Sequence, residues 1–264
     1  MYILKVGGGK AIRWEYIAED LKALQEEAVI VHGANYYASE VSEKLGVKER
    51  FIMSPSGHTS RYTDEKAMEV LTMTYAGLVN KKIVSVLRRH RINALGMCGA
   101  DGGIWMGKKK DAILSEENGK VKVIRDSLTG NVTSVNRDLI MLLVHHGYMP
   151  VITIPAVTPG GELINVDNDR AVAVMARDLA ITKIVMLFEA PGLLGDRNDE
   201  STRVVRIGKD QIDMYIGKVE GGMKKKLLGI KEAFSYGATD VYLGDGRSPH
   251  PITRALDGAG TVIH

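Results

Sequence analysis

The sequence predicts an α/β protein, built as a three-layer αβα sandwich around an open, mainly parallel sheet. Short apolar segments alternate along the chain with segments of helical periodicity. This alternation is typical of parallel strands whose two faces are both covered by helices. With 264 residues, the chain is long enough for one large α/β domain or for two lobes.

The first half of the chain establishes this alternation. Its predicted elements are strands at 2–6 and 28–32 and helices at 14–26, 36–45 and 64–90. The last helix is expected to begin near Thr63 and Asp64, because both residue types favour the N-cap position.

The second half continues the pattern. Its predicted elements are strands at about 93–98, 149–154, 183–188 and 239–243 and helices that begin at Arg170 and Gly221. A loop-rich stretch is expected at 189–203. A lobe boundary is expected within 150–170, which divides the chain into 1–160 and 161–264. No flexible linker marks it, so the lobes are expected to share one sheet.

The segment 103–135 departs from the parallel pattern. Lys108 to Leu114 and Lys120 to Ile124 look like two paired strands. Between them lies Glu117-Asn118-Gly119, and Asn-Gly is a hairpin turn signal. We therefore expect a hairpin that projects from the parallel core.

Composition excludes several classes of protein. The chain is 45% hydrophobic, and no apolar run approaches the length of about 18 residues that a membrane span needs. No signal peptide is recognisable at its start. A formal charge of +3 is too small to indicate nucleic-acid binding. The single Cys98 excludes an internal disulfide framework, is expected to pack inertly, and favours the cytosol.

Two glycine turns are candidates for binding anions. Gly7, Gly8 and Gly9 follow the first strand directly, with Lys5 just before its end. In Val31-His32-Gly33-Ala34-Asn35 a second strand leads into a helix, whose N-terminus favours negative charge. A purely structural turn is the alternative at each place. Together the turns would hold two anions close together, as a group transfer between them requires.

Three further segments carry candidate residues. Asn165, Asp167 and Asp169 alternate, so in an extended segment they share one face, although Asn168 and Asp169 equally suit a helix cap. Of the lysines in Gly221-Gly222-Met223-Lys224-Lys225-Lys226, at most one or two can point into a site. Arg61 is a candidate clamp for a carboxylate. The seven histidines show no metal-ligand spacing and are expected at the surface or in the core.

A basic stretch coincides with the predicted hairpin. It contains six cationic residues within eighteen positions: Lys108, Lys109, Lys110, Lys120, Lys122 and Arg125. A solvated hairpin is one interpretation, and a docking surface for an acidic partner is the other.

These motifs, taken in order, resemble the amino acid kinase family and its acetylglutamate kinase branch. The resemblance covers essentially the whole chain. It rests on Lys5-Val6-Gly7-Gly8, Val31-His32-Gly33, Arg61 in S-R-Y-T-D, Asn165 to Asp169, Gly222-Met223-x-x-Lys226 and the end from Gly244-Asp245-Gly246-Arg247 through Gly260-Thr261-Val262-Ile263. Within the branch, the chain is most similar to [LysW]-aminoadipate/[LysW]-glutamate kinases, through Ser54-Pro55-Ser56-Gly57, Glu117 to Val123, Thr129 to Val132 and Val135-Asn136.

The resemblance implies a reaction in which ATP and a carboxylate give an acyl phosphate and ADP, with Mg²⁺ and without a protein side chain as metal ligand. The carboxylate belongs to an aminoadipate or glutamate whose amino group is carried by a small acidic protein, in lysine or arginine biosynthesis. The basic hairpin would face that carrier. The resemblance also implies a homodimer, an N-terminal lobe for acyl substrate and dimerisation, and a C-terminal lobe for the nucleotide.

The resemblance also assigns residues. Lys5 and Lys226 would neutralise the moving phosphoryl group, and Asp169 would orient both. The predicted acyl-substrate residues are Gly33, Ala34, Asn35, Arg61 and Asn165. The predicted ATP residues are Gly7, Gly8, Phe188, Glu189, Gly192, Leu193, Leu194, Gly222 and Met223. Gly7, Gly8 and Gly33 would act through backbone N–H groups.

The chain departs from the family pattern at two places. Ala34-Asn35 stands where a glycine run usually follows V-H-G, and Phe188-Glu189-Ala190-Pro191-Gly192 stands where relatives often have S/T-D-V-x-G. Two alternatives to the carrier-dependent kinase stay open: a free N-acetylglutamate kinase and a non-catalytic sensor of amino acids or nucleotides. A nicotinamide-dependent oxidoreductase is disfavoured, because the opening glycines lack the G-x-G-x-x-G spacing.

Overall fold

An eight-stranded, mostly parallel sheet forms the centre of the protein. The computed structural model describes residues 1–55, 59–117 and 120–264. The strands in spatial order are β16 (Arg206–Ile207), β18 (Thr261–Ile263), β17 (Asp240–Asp245), β13 (Lys183–Phe188), β1 (Tyr2–Val6), β2 (Ala28–His32), β10 (Met149–Thr153) and β5 (Ala94–Cys98). The run from β17 to β5 is parallel, and β18 pairs antiparallel with β17. Every strand predicted for the parallel core is present.

Helices cover the two faces of this sheet. They are α1 (Trp14–Leu24), α2 (Asn35–Lys44), α3 (Glu65–Thr72), α4 (Asn80–Arg89), α5 (Arg137–His145), α6 (Asn168–Leu179), α7 (Ile212–Ile216), α8 (Gly221–Ser235) and α9 (Pro251–Leu256). One group packs α1 against α4 and α9, and another packs α6 against α8. The predicted αβα sandwich is confirmed. Among the described helices, none has the length and apolar character needed to cross a bilayer.

The predicted helix 64–90 is present but is not regular. Helix α3 begins after Asp64, whose side chain accepts a hydrogen bond of 2.8 Å from the Ala67 N–H, as expected of an N-cap residue. A π-helical segment, Met73–Val79, then joins α3 to α4. The Tyr75 side chain of this segment contacts the first residue of α2, and Asn80, which follows the segment, contacts the last residue of β2.

The predicted hairpin is present, but its first strand was assigned to the wrong residues. Strands β7 (Ile113–Glu117) and β8 (Lys120–Ile124) pair antiparallel, and the predicted turn residues Asn118 and Gly119 lie outside the described residues, as do Ser56 and Gly57. The strand predicted from Lys108 to Leu114 does not exist. The first part of it belongs to β6 (Trp105–Lys109), which pairs with β9 (Gly130–Val135). Buried Trp105 anchors β6 in this second sheet, a long-range contact that the lysine-rich pattern does not reveal.

The remaining strands are short. They are β3 (Phe51–Met53), β4 (Thr59–Arg61), β11 (Ala156–Val157), β12 (Leu163–Ile164), β14 (Leu194–Asp196) and β15 (Asp199–Arg203). Strands β11 and β12 complete the sheet of β6 and β9, and β14 and β15 form a hairpin inside the predicted loop-rich stretch. Cys98 is buried, and burial raises the pKa of its thiol, which agrees with the expected packing role.

Candidate active site

Two lysines and one aspartate form a buried cluster beside the central sheet. The Lys5 Nζ lies 2.7 Å from Oδ1 of Asp169, and the Lys226 Nζ lies 3.3 Å from its Oδ2. The exposed fractions of Lys5, Asp169 and Lys226 are 7%, 9% and 7%. The three residues predicted to be catalytic are therefore brought together, although they come from β1, α6 and α8.

The close approach of α6 to α8 depends on a glycine. A Cβ added to Gly229 of α8 would lie 2.9 Å from the backbone carbonyl of Asp169 in α6. Because Gly229 has no side chain, Lys226 on the preceding turn of α8 reaches the Asp169 carboxylate. The packing of these two helices thus sets the geometry of the cluster.

The charges of the cluster shift one another strongly. Burial lowers the pKa of Lys226 to about 8, and repulsion by the Lys5 ammonium adds to this effect. Burial alone would lower the pKa of Lys5, but the Asp169 carboxylate outweighs it and raises that pKa. The two ammonium groups likewise outweigh burial at Asp169 and lower its pKa. At neutral pH the cluster holds two cations against one anion, a net positive charge.

The two glycine turns touch each other at the carboxyl ends of β1 and β2. A Cβ on Gly8 would lie 2.3 Å from the Ala34 nitrogen, so only glycine allows this contact. The Gly7 N–H donates to the Leu187 carbonyl, and the Gly33 N–H donates to the Val6 carbonyl. Both N–H groups thus have backbone acceptors in this structure, and the expectation that Gly7 and Gly33 donate to phosphate stays a prediction. Within the described parts of the chain, the Gly8 N–H has no acceptor.

Glu189 places a carboxylate on the first turn. Its Oε1 accepts a hydrogen bond of 2.5 Å from the Ala11 N–H. A Cβ added to Gly9 would lie only 2.0 Å from its Oε2. An anion of the chain itself thus occupies part of the turn that the sequence assigns to phosphate. Its neighbour Phe188 faces the cluster, with the Lys226 Nζ 5.1 Å from the ring centroid.

A cleft of about 960 Å³ opens above these groups. Most of the predicted site residues line it: Lys5, Gly7, Gly8, Gly33, Asn35, Arg61, Asn165, Asp169, Phe188, Glu189, Gly222, Met223 and Lys226. Lys110, Arg170 and Lys225 also line it and make its wall more positive.

Four predicted site residues do not line this cleft. Ala34 is fully buried behind the second turn. Gly192 and Leu193 lie beside β18 instead, where the Leu193 N–H donates to the Thr261 hydroxyl over 2.9 Å. Leu194 begins β14 and pairs with Arg203 of β15. Both departures from the family pattern fall in these two segments, and no sequence motif predicts either placement.

Of the two alternatives for the segment 165–169, an extended face or a helix cap, the structure shows the cap. Asp167 caps α6, and its Oδ1 accepts hydrogen bonds from the N–H groups of Asp169 and Arg170. Asp169 therefore lies in the first helical turn rather than on an extended face, and the cap is Asp167 rather than Asn168. The Asn165 side chain donates to the Thr63 hydroxyl over 2.9 Å and keeps one side towards the cleft.

Arg61 lines the cleft but already holds a carboxylate. Its guanidinium forms a salt bridge with Glu49, which also accepts a hydrogen bond of 2.9 Å from the Ser39 hydroxyl. The Arg61 side chain is largely buried, with the guanidinium 5.4 Å from the Phe51 ring centroid. The predicted clamp is thus positioned by a carboxylate of the chain, and its fork is not entirely open to a substrate.

Three buried polar residues behind the second turn were not predicted as site residues. His32 is fully buried, as its core assignment expected, and burial lowers its pKa to about 4. Its Nε2 lies 3.0 Å from the Asn80 amide nitrogen, and the Tyr75 hydroxyl donates to the Asn35 side chain. Asn80 could have been found from the sequence, because it is a polar residue on the same face of helix 64–90 as the apolar residues Ile83 and Leu87.

The fold and this site define a class of α/β protein in which two buried lysines and one aspartate lie beside a cleft at the carboxyl ends of parallel strands. The Amino acid kinase family model matches residues 1–245. The chain belongs to that family.

Individual members of the family have sequences similar to this chain over its full length. The chain is 42% identical over 266 residues to the [LysW]-aminoadipate kinase of Deinococcus radiodurans, covering 100% of this chain and 91% of the relative. It is 41% identical to the [LysW]-aminoadipate kinase of Thermus thermophilus, covering 100% of both. It is 31% identical to the acetylglutamate kinase of Methanopyrus kandleri, again covering 100% of both.

Solved structures support the fold. The N-acetylglutamate synthase of Neisseria gonorrhoeae, complexed with coenzyme A and N-acetyl-glutamate, superimposes with a TM-score of 0.78 at 17% identity. The match covers 99% of this chain and 58% of that one. The carbamate kinase of Giardia lamblia bound to AMP-PNP gives a TM-score of 0.63 at 13% identity, covering 99% and 98%.

Proposed function

We propose that this protein transfers the γ-phosphoryl group of ATP to the side-chain carboxylate of an aminoadipate carried by a small acidic protein, a step of lysine biosynthesis. Glutamate on the same carrier, for arginine biosynthesis, is the parallel substrate. The observation that carries the proposal is the buried Lys5–Asp169–Lys226 cluster in a chain that matches two named [LysW]-aminoadipate kinases over its full length.

The chemistry of the cleft suits a carboxylate acceptor. A carboxylate is ionised at neutral pH and needs no general base. Among the described residues that line the cleft there is no histidine, and His32 lies behind the turn as a neutral, buried group. What the reaction needs is cations, because two anions must approach and charge spreads over the moving phosphoryl group. Lys5 and Lys226 supply two, and Asp169 holds both ammonium groups in place.

ATP enters as its magnesium complex, so Mg²⁺ is part of the substrate. In the part of the chain that the structure describes, no three acidic, histidine or cysteine side chains lie close enough to hold a metal ion. We assign the nucleotide to the C-terminal lobe, 161–264, with its phosphates between Gly8 and the N-terminus of α8 at Gly222. We assign the acyl group and the contacts of a homodimer to 1–160, and place the enzyme in the cytoplasm.

We assign the carrier to the hairpin of β7 and β8. Lys120 and Lys122 alternate on β8 with Val121 and Val123, and all four are exposed. Val123 lies opposite Leu114, which is exposed as well. Such a surface has cations on one face and apolar side chains on the other, which suits an acidic protein partner.

Lys109 does not belong to this surface. It lies on β6, and its ammonium forms a salt bridge of 2.6 Å with Glu162. The predicted basic stretch is therefore divided between two sheets, and we assign the docking surface to its second part, on the hairpin of β7 and β8.

The deciding experiment offers the purified protein ATP with either carrier-linked aminoadipate or free N-acetylglutamate. Hydroxylamine traps an acyl phosphate as a hydroxamate, which is then quantified. We expect hydroxamate with the carrier-linked acceptor and little with the free one. The reverse result would make the protein a free N-acetylglutamate kinase, the activity named in the Methanopyrus relative. ATP binding without turnover on any acceptor would indicate the non-catalytic sensor.

A further inference from the structure

The helix behind the second glycine turn changes its hydrogen-bonding pattern at the point of contact. In the π-helical segment Met73–Val79, the Asn80 N–H reaches back to the carbonyl of Tyr75, five residues earlier. In a regular α-helix, residues five apart point about 140° away from each other. The wider turn brings them towards one face, and such turns occur frequently at functional sites.

Both residues joined by this backbone contact also contact the second turn. The Tyr75 hydroxyl donates to Oδ1 of Asn35 over 2.5 Å, at the first residue of α2. Tyr75 is 4% exposed, so its ring is fixed by the core while its edge lines the cleft. The bond orients the Asn35 amide at the N-terminus of α2. The Tyr36 N–H there donates to the Gly8 carbonyl over 3.1 Å, whereas the Asn35 N–H has no backbone acceptor among the described residues and is the donor available for an anion.

Asn80 holds the same turn from behind. Its amide nitrogen lies 3.0 Å from Nε2 of His32 and donates to the Val151 carbonyl over 3.0 Å. Because His32 is neutral, its Nε2 accepts from Asn80 while its Nδ1 donates to the Gly33 carbonyl over 3.2 Å. Asn80 is fully buried, so this chain of bonds is shielded from water. It connects β10, β2 and the turn.

We propose that Tyr75 and Asn80 are positioning residues for the acyl acceptor. The π-helical segment presents both side chains to the turn 32–35 and fixes the N-terminus of α2, at which the acceptor anion binds. The inference rests on the proposed function and extends it, since neither residue touches the Lys5–Asp169–Lys226 cluster.

The test uses two variants and a matched control from the same segment. Tyr75→Phe removes one hydroxyl, and Asn80→Ser removes the amide. Thr74→Val is the control, because the buried Thr74 hydroxyl has no hydrogen-bond partner among the described residues. For each purified protein, kcat, both KM values and Tm are measured with ATP and the carrier-linked acceptor.

Each of the two variants is expected to raise the acceptor KM roughly fivefold, the effect of one or two lost hydrogen bonds, with the KM for ATP within about twofold of the parent. The control is expected to change neither. A merely structural role would lower Tm and change both KM values together, and that result, or an unchanged acceptor KM, would overturn the inference. A parent protein without turnover on the acceptor would instead overturn the proposed function and remove the basis of this inference.

Discussion

The protein carries positive charge in two regions of opposite character. Lys5 and Lys226 are buried against one carboxylate at the end of a parallel sheet. Lys120 and Lys122 stand on an exposed hairpin. A buried cation acts in a low dielectric and stabilises charge that develops beside it, whereas an exposed cation is screened and mainly steers a partner. Under the proposed function, burial separates the residues assigned to chemistry from those assigned to recognition.

The largest effect is expected from Lys226→Ala. Removing one preorganised charge donor typically lowers kcat by about 10²–10³, and we expect at least that loss with little change in the KM for the acceptor. Steady-state kinetics with the carrier-linked acceptor measure both. Lys224→Ala, on the same helix, is the control and should keep kcat. Near-normal turnover of Lys226→Ala would remove Lys226 from the reaction.

The next effect is a dependence on pH. The ammonium of Lys226 is cationic below its pKa of about 8 and neutral above it. The value of kcat/KM for ATP, which reports the free enzyme, should therefore fall as pH rises through about 8 and approach a tenfold loss per pH unit. Lys226→Arg keeps its charge, so its residual activity should lack this alkaline decline. An identical decline in Lys226→Arg would assign it to another group.

The exposed region should respond differently. The double variant Lys120→Glu with Lys122→Glu reverses two charges on the hairpin that we propose as the carrier's docking surface. We expect the carrier KM to rise roughly tenfold with kcat unchanged. The difference from the parent should shrink at high salt, because exposed charges are screened. Lys22→Glu with Lys209→Glu, two exposed residues outside the cleft, serves as the control. An unchanged carrier KM would move the docking surface away from this hairpin.

The smallest effect concerns Glu189, whose carboxylate lies on the first glycine turn. Glu189→Gln removes a negative charge where phosphates are expected, so the KM for ATP should fall roughly two- to fivefold, as exposed charge interactions allow. Glu15→Gln on α1 is a matched control. If instead the KM for ATP rises, Glu189 holds the turn in shape for the nucleotide and does not compete with it.

Much of the fold was predictable because parallel strands that are buried on both faces are simply short and apolar. The predicted strands at 28–32 and 183–188 coincide with β2 and β13. The partner of Lys108 and Lys109 was not predictable, since a lysine-rich stretch suits either of two strands. The burial of Trp105, which depends on contacts with residues distant in sequence, determines that both lysines belong to β6.

The residues of the site were largely predictable from the sequence, but their hydrogen bonds were not. Lys5, Asp169 and Lys226 meet as expected. Sheet pairing, however, uses the N–H groups of Gly7 and Gly33, and Asp167 rather than Asn168 caps α6. The contact of Glu189 with the first turn joins residues 178 positions apart, which no local pattern indicates.

The most direct test compares variants of the buried cluster and of the exposed hairpin in one experiment. The values of kcat and carrier KM are measured side by side for Lys226→Ala and for Lys120→Glu with Lys122→Glu, at saturating ATP. The separation of chemistry from recognition predicts that the first variant loses kcat and keeps KM, and that the second keeps kcat and loses KM. A hairpin variant with lowered kcat at saturating carrier, or a Lys226 variant changed only in KM, would contradict it.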